Sequence, residues 1–88
     1  MAWKVEYTST AKAQLRKLDP RAAHRIVDFM DERVAATDPR RIGRALTGPL
    51  GHLWRYRVGH YRGVCELQDA CIRVLVVRVS RRDKSYRP

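Results

Sequence analysis

The chain has 88 residues, with 19 Lys and Arg against 9 Asp and Glu and a net charge of +10. That length fits one domain over residues 1–88 and excludes a large core, since a chain this size buries roughly 60% of the surface its unfolded form exposes. The charge points to polyanionic partners, and the longest unbroken apolar run, Val74 to Val77, is too short to cross a membrane.

In chain order, "WKVEY" alternates apolar and polar, which predicts a first strand over residues 3–7 with Trp3, Val5 and Tyr7 on its core face. Thr8, Ser9 and Thr10 offer N-cap oxygens to a short helix whose apolar side carries Ala11, Leu15 and Leu18. Asp19 before Pro20 starts a second helix, because Asp caps and Pro at the first position gives up only an amide that has no partner there. Ala23, Ile26, Val27, Met30 and Val34 follow at helical spacing, and Pro39 predicts an end near Thr37. Asp28, Asp31 and Glu32 fall on the outward side. Residues 39–52, with Pro39, Gly43, Gly48, Pro49 and Gly51, read as a loop with room for a short helical turn, and the loop carries Arg40, Arg41 and Arg44. Three strands are predicted after it, over 53–58, 61–67 and 71–79. The order β-α-α-β-β-β gives an α+β fold with two N-terminal helices packed on one face of a four-stranded antiparallel sheet.

The strands at 53–58 and 61–67 meet at Gly59-His60, a two-residue loop with Gly first that suits a type II′ turn. Val58 then lies opposite Tyr61, Arg57 opposite Arg62, Tyr56 opposite Gly63, Arg55 opposite Val64 and Trp54 opposite Cys65. Alternation puts Arg55, Arg57 and Arg62 on one face, while Trp54, Tyr56, Val58, Tyr61 and Cys65 look toward the helices. A similar turn at Asp69-Ala70 would set Glu66 against Arg73 and Arg62 against Val77, adding Val64, Leu75, Val77 and Val79 to the arginine face. Either a partner covers that apolar part, or nucleic acid reaches only the arginine end.

Like charges directly across a strand pair repel, so Arg57 against Arg62 costs stability unless an anion joins them. Residues 1–38 hold 7 basic and 6 acidic side chains, whereas 39–88 hold 12 and 3, and eleven of those twelve cations are arginine. The planar guanidinium fork suits bidentate phosphate contacts. The face therefore reads as a cradle for phosphodiester oxygens. His24, His52 and His60 have no partners at metal-ligand spacing, and no metal or other cofactor is called for. Cys65 and Cys71 form no metal-type pair, and nothing at the N-terminus resembles a signal peptide, so both are expected to be reduced in a cytoplasmic protein.

"ALTGPL", "LWRYRVGHYR", "IRVLVVRVS" and "RRDKSYR" together resemble the RelE family of bacterial toxins, within the RelE/ParE superfamily. The likeness spans almost the whole chain, the two leading helices included. It implies a RelE-like toxin of a type II toxin–antitoxin system that cuts mRNA in the ribosomal A site. It also implies a cognate RelB-like antitoxin, through which the complex would contact operator DNA. The family's catalytic positions carry over onto Arg55, Arg57, Arg62, Arg82 and Tyr86, and Arg44, Arg81, Lys84 and Arg87 become further RNA contacts. Two of the catalytic places are often lysine in relatives and are arginine here. Ser80, Arg81 and Arg82 stand where relatives often have Gly-His-Arg, so the histidine is absent.

Cleaving RNA through its own 2′-hydroxyl requires in-line alignment, stabilisation of charge on the phosphate, and proton transfer. Arginines serve the first two. For Tyr86 to be the base, neighbouring guanidinium groups must pull its phenol below the usual value of about 10. The alternative role is stacking on a splayed base, and the two are compatible. Two rival readings are a ParE-like inhibitor of DNA gyrase and a non-catalytic RNA-binding module. Retention of the arginine and tyrosine set favours cleavage over both.

Overall fold

The computed structural model describes residues 3–81. Strand β1 (Lys4–Tyr7) leads into helix α1 (Ser9–Arg16), and the Ala11 amide donates to the Thr8 hydroxyl at 3.1 Å as an N-cap. Helix α2 (Pro20–Phe29) begins as its sequence predicts, with Pro20 in the first turn and the Arg21 amide donating to Asp19 Oδ1 at 2.8 Å. A π-helical turn, Met30–Val34, continues it. Pro39 does not merely stop this helix. Asp38 caps a further short helix, α3 (Pro39–Ile42), by accepting from the Arg40 amide at 3.1 Å.

The two-residue strand β2 (Arg44–Ala45) follows, then β3 (Leu53–Val58), β4 (Tyr61–Gln68) and β5 (Arg73–Arg81). They form one sheet in the order β1-β5-β4-β3-β2. The pairing of β1 with β5 is parallel, and the others are antiparallel. The expected four-stranded antiparallel sheet with two helices is therefore corrected to a five-stranded mixed sheet with three. Alternation within "WKVEY" sets the faces of β1 but carries no information on strand direction. In β2, two residues are too few to alternate at all.

The β3–β4 register is the one the Gly59 turn dictates. Val58 faces Tyr61, Arg57 faces Arg62, and Gly59 has φ +61° as a type II′ turn demands of its first central residue. The β4–β5 register differs from expectation in two steps. The connection is a 3₁₀ turn, Asp69–Cys71, closed by Ile72 in the left-handed region at φ +50°, so Gln68 faces Arg73 and Glu66 faces Leu75, not Arg73. A shift of two residues keeps every side chain on its face. A β-bulge then intervenes, with Val64 facing Arg78 but Cys65 facing Val76, and that single extra residue reverses the faces beyond it. Arg62 consequently faces Ser80, not Val77, and Val79 leaves the arginine face for the core, where it is 3% exposed.

The core lies between the helices and one face of the sheet. Ile26, Met30 and Val34 from the second helical segment meet Tyr56, Val58, Cys65, Leu67, Val74, Val76 and Val79, with Trp3, Val5 and Tyr7 packed at its margin. The opposite face of the sheet is thereby left to the arginines. No described helix is long and apolar enough to cross a membrane.

Burial at the centre of this core pushes the Cys65 thiol up to about 12, whereas Cys71 is exposed in the β4–β5 turn. The thiolate is the reactive form. Iodoacetamide at neutral pH is expected to alkylate the native chain once, at Cys71, and a second time only after denaturation. Native modification at Cys65, read by peptide mass spectrometry, would contradict this packing.

Candidate nucleic-acid interface

The cross-strand register arranges the arginines in two rows on the sheet face turned away from the helices. Arg44, Arg55, Val64 and Arg78 form one row across β2, β3, β4 and β5, and Arg57, Arg62 and Ser80 form the next. Among the described residues neither row contains a carboxylate. Arg57 is exposed, while Arg62, on a central strand, is only 8% exposed and is the sole charged side chain buried among the described residues. Holding a guanidinium so far out of water is costly unless negative charge is near. Arg57 and Arg62, opposite one another, are spaced to hold an anion between them.

Among the described residues, the acidic side chains of this face, Glu6 and Glu66, lie at its other end in a network of mixed sign. Arg73 donates from Nη1 to Glu6 Oε1 at 3.1 Å and from Nε to Gln68 Oε1, and Gln68 Nε2 donates to Glu66 Oε1. These carboxylates thus have partners of their own. Positive charge is left concentrated toward the Gly59 end of the sheet.

Of the residues singled out from the sequence, the fold brings Arg44, Arg55, Arg57 and Arg62 together. Arg81 faces Tyr61 at the end of β5, one position out of step with Ser80, and so alternates onto the other face. Arg82, Lys84, Tyr86 and Arg87 lie outside the described residues. One residue that belongs to the set was missed. Arg78 reaches the arginine face because of the bulge, and it is exposed there. A signal for it existed in "IRVLVVRVS": unbroken alternation would have pointed Arg78 at the helices, an unfavourable burial that one extra residue avoids.

At the β2 edge of the arginine face a cleft of about 360 Å³ opens between Phe29, Ile42, Gly43, Arg44, Arg55 and Arg57. Gly43 is forced by close approach, since a Cβ there would sit 2.6 Å from the Tyr56 ring and 2.7 Å from the Arg55 carbonyl oxygen. His24 makes a local contact with Asp28 at 3.2 Å on the exposed side of α2. Among the described residues no group of three His, Cys, Asp or Glu side chains is placed to hold a metal ion.

The model of the family described as "ParE toxin of type II toxin-antitoxin system, parDE" matches residues 5–86. Toxin RelG of Mycobacterium tuberculosis is 32% identical over 87 residues, 99% of this chain and 99% of that one. Toxin RelE of the same organism is 34% identical over 83 residues, covering 94% of this chain and 84% of the relative. Among solved structures, the toxin–antitoxin complex RelBE2 from M. tuberculosis matches with a TM-score of 0.87 at 30% identity, over 93% of this chain and 100% of that chain. The isolated E. coli RelE toxin matches with a TM-score of 0.73 at 17% identity, over 91% of this chain and 84% of that chain, a likeness of fold.

The segment that carries Gly43 and Arg44 is fixed at two points. Tyr56 donates its buried hydroxyl to the Pro39 carbonyl at 2.8 Å. Arg40 makes a bidentate pair with Asp69 in the β4–β5 turn, at 2.8 and 2.7 Å, and its guanidinium lies 5.9 Å from the Trp54 ring centroid. The hydrogen bonds from Arg40 hold the Asp69 carboxyl below the usual carboxylate range. A depressed folded-state value means that the stabilisation is present at neutral pH and is lost as pH falls through that value. The urea midpoint of the native chain is therefore expected to exceed that of Asp69→Asn at pH 7, with the gap closing on acidification. A gap independent of pH would show that the pair does not hold this segment.

Proposed function

Because this chain belongs to the ParE toxin family of type II toxin–antitoxin systems, in the RelE/ParE superfamily, we propose that it is a ribosome-dependent mRNA endonuclease. The observation that carries this reading is the opposition of Arg57 and Arg62, beside a second row with Arg44, Arg55 and Arg78 on the same face. Guanidinium groups converging in this way are well suited to a phosphodiester.

In this reading Arg57 and Arg62 grip the non-bridging oxygens of the scissile phosphate, with Arg55 beside them on β3. The 2′-hydroxyl of the preceding ribose attacks phosphorus, the 5′-oxygen of the next nucleotide departs, and the products are a 2′,3′-cyclic phosphate and a 5′-hydroxyl. Guanidinium groups already held in place stabilise the charge that builds on the phosphorane without reorganising. Arg82 stabilises the leaving 5′-oxygen, which takes a proton from water, and the 2′-hydroxyl proton passes to Tyr86, or to water where Tyr86 serves only to stack on a base. Arg44, Lys84 and Arg87 contact flanking phosphates and Arg78 joins them, whereas Arg81, on the other face, leaves the set. No metal or other cofactor enters this scheme.

Residues 1–88 act as one toxin domain in the cytoplasm, and an acidic RelB-like antitoxin neutralises it. The solved RelBE2 and archaeal RelE–RelB structures are such toxin–antitoxin complexes. The antitoxin's carboxylates would take the place of phosphates on the arginine face, and operator DNA would be contacted through the antitoxin. A second reading, inhibition of DNA gyrase, is favoured by the ParE description of the matching family. It needs no arginine cradle.

Primer extension on translated messages decides between them. Expression of the native toxin is expected to give cuts within reading frames. Arg57→Ala, Arg62→Ala, Arg82→Ala and Tyr86→Phe should each lower the cutting rate by about 10²- to 10³-fold, the range for removal of one preorganised transition-state contact, with folding intact by circular dichroism. Uncut message together with inhibited supercoiling would refute the nuclease and support the second reading.

A further inference from the structure

The cleft at the β2 edge is lined by two unlike sets of side chains, the arginines Arg44, Arg55 and Arg57 and the apolar Phe29 and Ile42, with Gly43 beside them. Four elements contribute to it: α2, α3, β2 and β3. Each set suits a different part of a ligand. Three guanidinium groups suit an anion, and an aromatic ring with a branched aliphatic side chain suits a flat apolar surface. At about 360 Å³, the volume lies near the low end of the roughly 300–1,000 Å³ typical of small-molecule sites. A peptide carboxylate would satisfy the arginines but leave the Phe29 ring without a matching flat group.

We propose that this cleft is a nucleotide subsite. It takes one base of a single-stranded RNA against Phe29 and Ile42, and the phosphate of the same nucleotide on Arg44 and Arg55. The inference rests on the nuclease reading and deepens it. Arg57 lines both the cleft and the row with Arg62, so a nucleotide held here adjoins the linkage gripped between Arg57 and Arg62. Base preference at one position flanking the cut is then set by the cleft wall, while the arginine rows hold any sequence equally. No local signal in the sequence marks this site. Phe29 reads as an unremarkable helical residue, and Ile42 and Gly43 as loop.

The test separates base from phosphate. The full chain is titrated with adenosine 5′-monophosphate and, in parallel, with ribose 5-phosphate, following the Phe29 ring and Gly43 amide signals by NMR. Adenosine 5′-monophosphate is expected to bind about ten-fold more tightly, the lower end of what stacking one base on an aromatic side chain confers. Phe29→Leu, which keeps an apolar group of similar bulk, should remove that advantage and leave ribose 5-phosphate binding unchanged. Ile42→Ala should reduce the advantage in part and serves if Phe29→Leu does not fold. Equal affinities for the two ligands, or an advantage that survives both substitutions, would overturn the subsite.

Neither titration involves cleavage. A native chain that leaves messages intact yet prefers the monophosphate would refute the nuclease and keep the subsite. Cuts whose distribution is the same for the native chain and Phe29→Leu would keep the nuclease and refute the subsite.

Discussion

The structure depends on a turn of two residues. Gly59, at a positive φ that most residues avoid, lets β3 reverse tightly into β4, and that reversal leaves no freedom in the register that follows. Arg57 must then face Arg62, and Tyr56 must fall on the other side of the sheet, in the core beneath the helices. One constraint thus sends aromatics inward and arginines outward. The polyanionic ligand proposed for this face would offset the repulsion between the two guanidinium groups.

A second device places the cradle within a continuous surface. The bulge in the β4–β5 pair adds one residue to β5 and so exchanges the faces of everything after it. Val79 turns into the core and Arg78 turns out, which converts an apolar strip into an extension of the cationic row. The pair between Arg40 and Asp69 and the hydrogen bond from Tyr56 to Pro39 tie the loop with Arg44 to the same sheet. The arginine surface is therefore assembled from four strands whose relative positions are each fixed by a separate local interaction.

These local interactions explain what could be read in advance. The caps at Thr8 and Asp19, the helical spacing from Ile26 to Val34, and the β3–β4 hairpin are contacts between near neighbours in sequence, and residue type specifies them directly. Arg55, Arg57 and Arg62 were legible for that reason. The direction of β1 is set by packing against β5, nearly seventy residues away. The pairing of β2 rests on a few backbone hydrogen bonds with no side-chain pattern. The β4–β5 turn places Ile72 in the left-handed region, an unusual choice for a β-branched residue, and nothing in "QDACIR" announces it. Because the register of β5 depends on that turn and on the bulge, Arg78 and the position of Val79 were lost together. The cleft was lost for a related reason, since its walls come from elements that meet only in the folded chain.

One requirement of the proposed nuclease is that the guanidinium groups facing one another across β3 and β4 bind RNA phosphates. It is tested most directly by the salt dependence of binding to a short single-stranded RNA whose 2′-hydroxyls are methylated, so that it cannot be cut. For single strands the slope of log K against log salt is about −0.7 per phosphate neutralised. Replacing both Arg57 and Arg62 by Gln should make the slope shallower by about 1.4, equivalent to two lost contacts, as well as weakening affinity. The same replacement at Glu66 should leave the slope as it is. A slope unaltered by loss of the Arg57–Arg62 pair would contradict the claim.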